Sequence, residues 1–192
     1  IKNIKNNPKK ILDVATGTAD IAIYAAKTID AKITGVDISP KMLEIGNKKI
    51  KREKLTTKII LELADAEELP YESNSFQAVT SGFGVRNFEN MEAGLKEIYR
   101  VLQKKGTLII LEPSTPSNFP FKHIYNIYFS YFLPLIGKII SKDKSAYKYF
   151  TLSVNAFPEK IKFLEKLEEI GFKNCKHKSL TFGVASLFLA EK

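Results

Sequence analysis

Between Ile11 and Pro113 the chain alternates short apolar runs with longer amphipathic ones, and few folds tolerate that rhythm. The apolar runs at 11–15, 31–37, 58–63, 76–81 and 107–112 have strand length. The intervening segments carry apolar residues at helical spacing, as with Leu95, Ile98, Tyr99 and Leu102 in the helix expected over 91–102. Two more helices are expected, from Asp20 to about Lys27 and from Pro40 to about Lys54. Ser39 is placed to cap the second, with Pro40 at its first position. Lys105-Gly106 reads as a turn before the fifth strand. Strands alternating with helices predict an α/β fold: a parallel sheet with right-handed crossovers and helices on both faces.

The rhythm breaks at Pro113. Residues 113–152 are rich in proline and aromatics, and Phe121, Tyr125, Tyr128, Phe129 and Phe132 fall at helical spacing. Lys122, His123, Asn126, Pro134 and Lys138 interrupt the segment, so no apolar run approaches the roughly 20 residues of a membrane span. It reads as an inserted lid in a single domain, 1–192. The regular pattern returns with a helix over 159–170, for which Gly171 is a natural terminator. Two strands follow, 172–179 and 184–190, close enough in sequence to pair antiparallel at the sheet edge.

A chain of 192 residues can bury a core without a disulfide or a metal. Its one cysteine, Cys175, cannot form an internal bridge, which suits a reducing, cytoplasmic setting and no thiol chemistry. The first residues carry no apolar leader. The net charge of +9 is spread over scattered lysines, clustered only at 48–54 and 173–178, and reads as a solvated face rather than a nucleic-acid patch.

The chemistry concentrates in ILDVATGTADI, residues 11–21: strand, tight turn, helix start. Gly17 allows close approach to a ligand, and a helix start offers unpaired N–H groups, a combination suited to a nucleotide-like cofactor. The G-x-G-x-x-G of dinucleotide sites and the Gly-Lys-Ser/Thr of a P-loop are both absent from this turn. Acids flank it at Asp13 and Asp20, which favours a cofactor carrying positive charge. Asp37 ends the second strand, 20 residues after Gly17, where an acid accepts hydrogen bonds from ribose hydroxyls. Asp65 leaves the third strand, placed to accept from an adenine amino group while the Ala66 N–H donates to the ring. Each acid alone also suits a local capping or loop role; together with the turn they converge on one end of the sheet.

Several stretches resemble the class I S-adenosylmethionine-dependent methyltransferases: DVATGTAD at 13–20, GVDISPKML at 35–43 and ADAEELPYxxNSF at 64–76. Others are narrower: FGVRN at 83–87, YRVLQKKGTLIILEPSxP at 99–116, FLPLIGKIISKDxxAYxY at 132–149, SVNAFP at 153–158 and GFKNCxxxSLTFGVASLF at 171–188. These resemble the ubiquinone/menaquinone biosynthesis C-methyltransferases. The resemblance covers nearly the whole chain. It implies a Rossmann-like seven-stranded sheet of order 3-2-1-4-5-7-6, with S-adenosyl-L-methionine as methyl donor and a polyprenylated quinol as acceptor. Carried over by motif, Gly17 and Thr18 approach the methionine part, Asp37 the ribose, Asp65 and Ala66 the adenine, and Gly82 the methyl-donor side. The sequence departs from the family at Ala19, usually glycine, at Gln77, often an acid, and at Lys105, often proline. A family segment that precedes the first strand is expected to be missing here.

Methylating a ring carbon requires an electron-rich ring and a group that ionises or holds the quinol oxygen. Arg86 and Asn87 follow the fourth strand on the cofactor side and are the expected catalytic pair. His123 is expected to pack in the lid or lie at its surface, and Tyr147, Tyr149 and Ser153 are secondary acceptor-site candidates. The apolar insert suits a prenyl tail, and its neighbouring lysines a peripheral contact with the inner membrane surface. The alternatives are a methyltransferase for another small molecule, and a noncatalytic cofactor-fold or RNA-binding subunit; the aromatics lie in an apolar insert rather than among basic residues, which weighs against RNA.

Overall fold

A computed structural model describes residues 1, 4, 7–116, 123, 149, 152–154 and 156–192. In chain order these form β1 (Lys10–Val14), α1 (Asp20–Thr28), β2 (Lys32–Asp37), α2 (Pro40–Arg52), β3 (Ile59–Leu63) and β4 (Phe76–Gly82). A 3-10 turn (Val85–Asn87), α3 (Met91–Val101), β5 (Leu102–Pro113), α4 (Lys160–Ile170), β6 (Lys173–Leu180), a second 3-10 turn (Thr181–Gly183) and β7 (Ala185–Glu191) complete them. Most of the expected lid, including Phe121, Tyr125, Tyr128, Phe129, Phe132 and Tyr147, lies outside the described residues.

The seven strands form one sheet of order β3-β2-β1-β4-β5-β7-β6, the order the family resemblance implies. β1 pairs parallel with both β2 and β4, and β7 is the reversed strand, antiparallel to β5 on one side and β6 on the other. β1 is buried almost throughout because helices cover both faces of the sheet. Its alternation sorts neighbours into two cores. Ile11 joins Ala22, Ala25, Ala26, Ile33 and Ile50 beneath α1 and α2, where small alanines let α1 lie close to the sheet. Leu12 and Val14 join Leu95, Ile98, Ile110, Phe163, Leu167 and Phe188 beneath α3 and α4. Phe163 stacks edge-on against Phe188 at 4.7 Å between ring centres, anchoring α4 to the reversed strand.

The ends of α2 and α4 match the sequence signals, and α3 adds a cap that the sequence reading did not name. Ser39 caps α2 by accepting the Met42 N–H at 3.4 Å, Asn90 caps α3 by accepting that of Ala93 at 3.1 Å, and Gly171 ends α4 in the left-handed conformation at φ 115°. The expected turn at Lys105-Gly106 falls inside β5. The strand pairs Leu102 with Phe76, then resumes at Thr107 opposite Ala78, and Lys105 takes φ 64° in the bulge between. The turn chemistry was readable there; the short pairing before it, which starts the strand early, was not.

Candidate active site

Strand order reverses at β1, with β2 to one side and β4 to the other, so their carboxyl ends open a crevice. A cavity of about 920 Å³ fills it. The cofactor-site and catalytic residues expected from the sequence all line it: Asp13, Gly17, Thr18, Asp37, Asp65, Ala66, Gly82, Arg86 and Asn87.

The turn after β1 is cranked. Ala15, Gly17 and Ala19 take positive φ of 53°, 54° and 64° at alternate positions. Glycine adopts this conformation freely, whereas each alanine carries a cost of about 1–2 kcal/mol. Ala19 is fully buried, and its methyl faces Gly46 of α2, where an added Cβ would approach it to 3.3 Å. The glycine on the facing helix leaves room first for Leu61 of β3, whose Cδ1 a Cβ would approach to 2.7 Å, and then for the alanine in the turn. The Gly17 N–H donates to Asp37 Oδ2 at 2.7 Å, and the Ser39 N–H donates to Asp37 Oδ1 at 2.8 Å. Asp37 thus serves the local turn and faces the cavity at once. A carboxylate has about four acceptor positions, so two amides leave capacity for a ribose diol.

Asp13 lies deeper than the other acids of the site. Its side chain lies beneath the turn, 1% exposed, and its two oxygens accept hydrogen bonds from Thr16 Oγ1 and Thr80 Oγ1, both at 2.6 Å. Burial pushes its pKa up to about 6, against the pull of Thr16, Thr80 and the Ala22 backbone N–H. The carboxylate therefore ties β1, the turn, β4 and the first turn of α1 together, and it meets the cavity as part of its floor. This also accounts for the start of α1, where Ala19 offers no side-chain cap. Asp20, the other flanking acid, lies on the rim and is held by Lys49 Nζ at 2.8 Å and by the Thr18 hydroxyl at 2.7 Å. These partners hold its carboxyl below the usual range, and Lys49 offsets its charge.

Beyond the turn, Asp65 leaves β3 exposed, with Oδ1 accepting the Glu67 N–H at 2.9 Å. Ile38 and Met42, beside Asp37, line the cavity with exposed apolar surface, 71% and 42%. Sequence reasoning missed them, although an isoleucine directly after an acid at a strand end was a readable signal. Gly82 ends β4 with no room for a side chain: a Cβ would lie 2.0 Å from Ile21 Cδ1, so glycine is what lets Ile21 close over this wall.

On the far wall Arg86 is 10% exposed and pairs with Glu112 at 2.9 Å; the carboxylate is 0% exposed. Burial raises the Glu112 pKa, while the Arg86 guanidinium and the Arg86 and Val85 backbone amides pull it down. The Arg86 side chain also donates to the Phe83 carbonyl, to which Asn87 Nδ2 donates at 3.2 Å. The Tyr149 hydroxyl donates to Asn87 Oδ1 at 3.1 Å, bringing one of the secondary acceptor-site candidates onto this wall. Ser153 is buried and His123 exposed, and neither lines the cavity. Glu112 was read only as the end of a strand; its part in the site depends on a contact across 26 residues that no local pattern shows. No group of three or more His, Cys, Asp or Glu side chains suited to a metal occurs among the described residues.

Comparison with known proteins agrees with this architecture. A demethylmenaquinone methyltransferase from Bacteroides fragilis is 41% identical over 186 residues, spanning 96% of this chain and 76% of the relative. A ubiquinone/menaquinone biosynthesis C-methyltransferase from Geotalea daltonii is 44% identical over 195 residues, spanning 100% of this chain and 83% of the relative. Among solved structures, a SAM-dependent methyltransferase from Aquifex aeolicus superposes with a TM-score of 0.68 at 14% identity, over 95% of this chain and 81% of that one. Phosphoethanolamine N-methyltransferase 2 from Haemonchus contortus, in complex with S-adenosyl-L-methionine, does so with a TM-score of 0.72 at 16% identity, over 97% of this chain and 49% of that one. The structural likeness speaks for the fold alone. The model of the ubiE/COQ5 methyltransferase family matches residues 2–192, and the chain belongs to that family.

Proposed function

We propose that the protein transfers a methyl group from S-adenosyl-L-methionine to a ring carbon of a polyprenylated quinol, demethylmenaquinol in the first instance. The observation that carries the reading is the convergence of Asp37, the Gly17 turn and the Arg86–Asn87 wall on one cavity. Its volume of about 920 Å³ is in the range of small-molecule sites. It combines an acid held by two backbone amides with exposed apolar surface at Ile38 and Met42, a donor and acceptor set suited to a nucleoside.

When bound, S-adenosyl-L-methionine supplies an electrophilic methyl on a sulfonium. The residues of the chain do the rest. Asp37 accepts from the ribose hydroxyls, while Asp65 and the Ala66 N–H read the adenine edge. Gly17 and Thr18 flank the methionine part, with Asp13 holding their turn from below. Gly82 and Ile21 close the side toward the methyl. Arg86 and Asn87 orient the quinol oxygen and favour its ionised form by holding the negative charge there; that charge flows into the ring as the ring carbon attacks, and the ring hydrogen then leaves as a proton to solvent. The aromatic stretch 113–152 provides apolar side chains suited to a prenyl tail. No helix among the described residues is long and apolar enough to cross a membrane, and the lysine-rich surface suits peripheral contact with an anionic bilayer, where such an acceptor resides.

Transfer of labelled methyl to demethylmenaquinol and to a demethylated benzoquinol, measured beside cofactor affinity, tests the proposal. Transfer to the naphthoquinol is expected. Cofactor binding without transfer to either acceptor would overturn it, and transfer to the benzoquinol alone would reassign the acceptor. Asp37→Ala should weaken cofactor binding at least about tenfold, from the loss of charge-assisted hydrogen bonds and of the Gly17 anchor. Isothermal titration calorimetry reads that loss directly.

A further inference from the structure

We propose that Glu112 is a positioning residue for methyl transfer: its carboxylate clamps the backbone and the guanidinium of Arg86 together and so fixes where that cation faces the acceptor. The inference rests on the reading that Arg86 acts on the acceptor oxygen.

The two oxygens of Glu112 have separate tasks. Oε1 accepts the Arg86 backbone N–H at 3.3 Å, and Oε2 accepts Nη1 of the same residue at 2.9 Å. One side chain thus holds both ends of an arginine. Glu112 is 0% exposed and stands on β5, paired with Ser186 of β7, in a strand with neighbours on both sides. It does not line the cavity, whereas Arg86 does, so it acts through Arg86 and not on the acceptor. The same network reaches Asn87. Phe83 adopts φ 61°, and its carbonyl accepts from both the Arg86 guanidinium and Asn87 Nδ2. A free arginine side chain samples many rotamers, and ordering it only at the transition state would slow the reaction. Here that ordering is built into the protein.

The geometry supplies its own test. Glutamine has the size of glutamate but one acceptor oxygen, so Glu112→Gln must release either the Arg86 amide or its guanidinium. Turnover should fall at least about tenfold, a loss typical of a disturbed charge-stabilising group, while calorimetric cofactor affinity stays close to wild type. In an Arg86→Gln background, adding Glu112→Gln should change kcat less than about twofold, because the two residues act as one unit. Should Glu112→Gln not fold, Glu112→Asp takes its place: it keeps the charge, cannot span both contacts, and is expected to show the same kcat loss. Wild-type turnover in the folded variant overturns the proposal. So does a full, additive loss in the double variant, or a fall in cofactor affinity equal to the fall in kcat, which marks a purely structural role. Arg86→Gln with wild-type turnover is a different outcome: it overturns the underlying assignment of Arg86 itself.

Discussion

Asp13 holds a carboxylate where water scarcely reaches, and its pH behaviour is a direct result. Its pKa rises from 3.8 in the unfolded chain to about 6 in the fold. A raised acid is protonated longer in the folded state, so its contribution to stability falls as pH climbs from about 4 to about 6. Asp13→Asn removes this titration. The unfolding free energy of the variant relative to wild type should therefore increase across that window, by about 3 kcal/mol for a shift of this size. Denaturant melts at pH 4 and pH 7 measure it; a constant difference would show that Asp13 is not desolvated. How much of the site was legible divides at this residue. Asp37 was readable because a strand end, a spacing from Gly17 and a residue type together fix its place. Asp13 was readable as near the turn, but its commitment to Thr80 arises from the β1–β4 pairing, across 67 residues.

At the scale of elements, the buried pair between the 3-10 turn and β5 carries the sharpest energetic consequence. Removing one partner leaves a charge without its counterion in a dry place. Glu112→Ala is expected to cost about 3–5 kcal/mol of stability, whereas Arg86→Met combined with Glu112→Leu should recover most of it. Thermal unfolding of the three proteins tests this, and equal losses in the single and double variants would refute it. The elements themselves were largely legible. Apolar runs in a doubly covered sheet, a cap at Ser39 and a terminator at Gly171 act locally, so local sequence shows them. The start of β5 was missed because its first pairing, Leu102 with Phe76, precedes a bulge and depends on a partner strand distant in sequence.

For the whole molecule, the cavity joins the ends of β1, β2, β3 and β4 with their loops to Leu111 of β5, so a bound cofactor bridges most of the sheet and should stabilise it as a unit. At about a hundred times its dissociation constant, S-adenosyl-L-methionine is expected to add about 2.7 kcal/mol. For a domain of this size that corresponds to a rise of roughly 5–10 °C in melting temperature. Differential scanning calorimetry with and without cofactor gives the value, and an unchanged midpoint would contradict the site. The described residues lining that cavity all fall between Asp13 and Leu111. The β6–β7 hairpin completes the sheet without entering it. Among the described residues the cavity wall is thus built from one uninterrupted stretch of chain, which holds the residues proposed for the acceptor, Arg86 and Asn87, together with those proposed for the donor. A substitution on that stretch can therefore disturb the handling of donor and acceptor at once, and Glu112, just beyond it, reaches the wall only through Arg86.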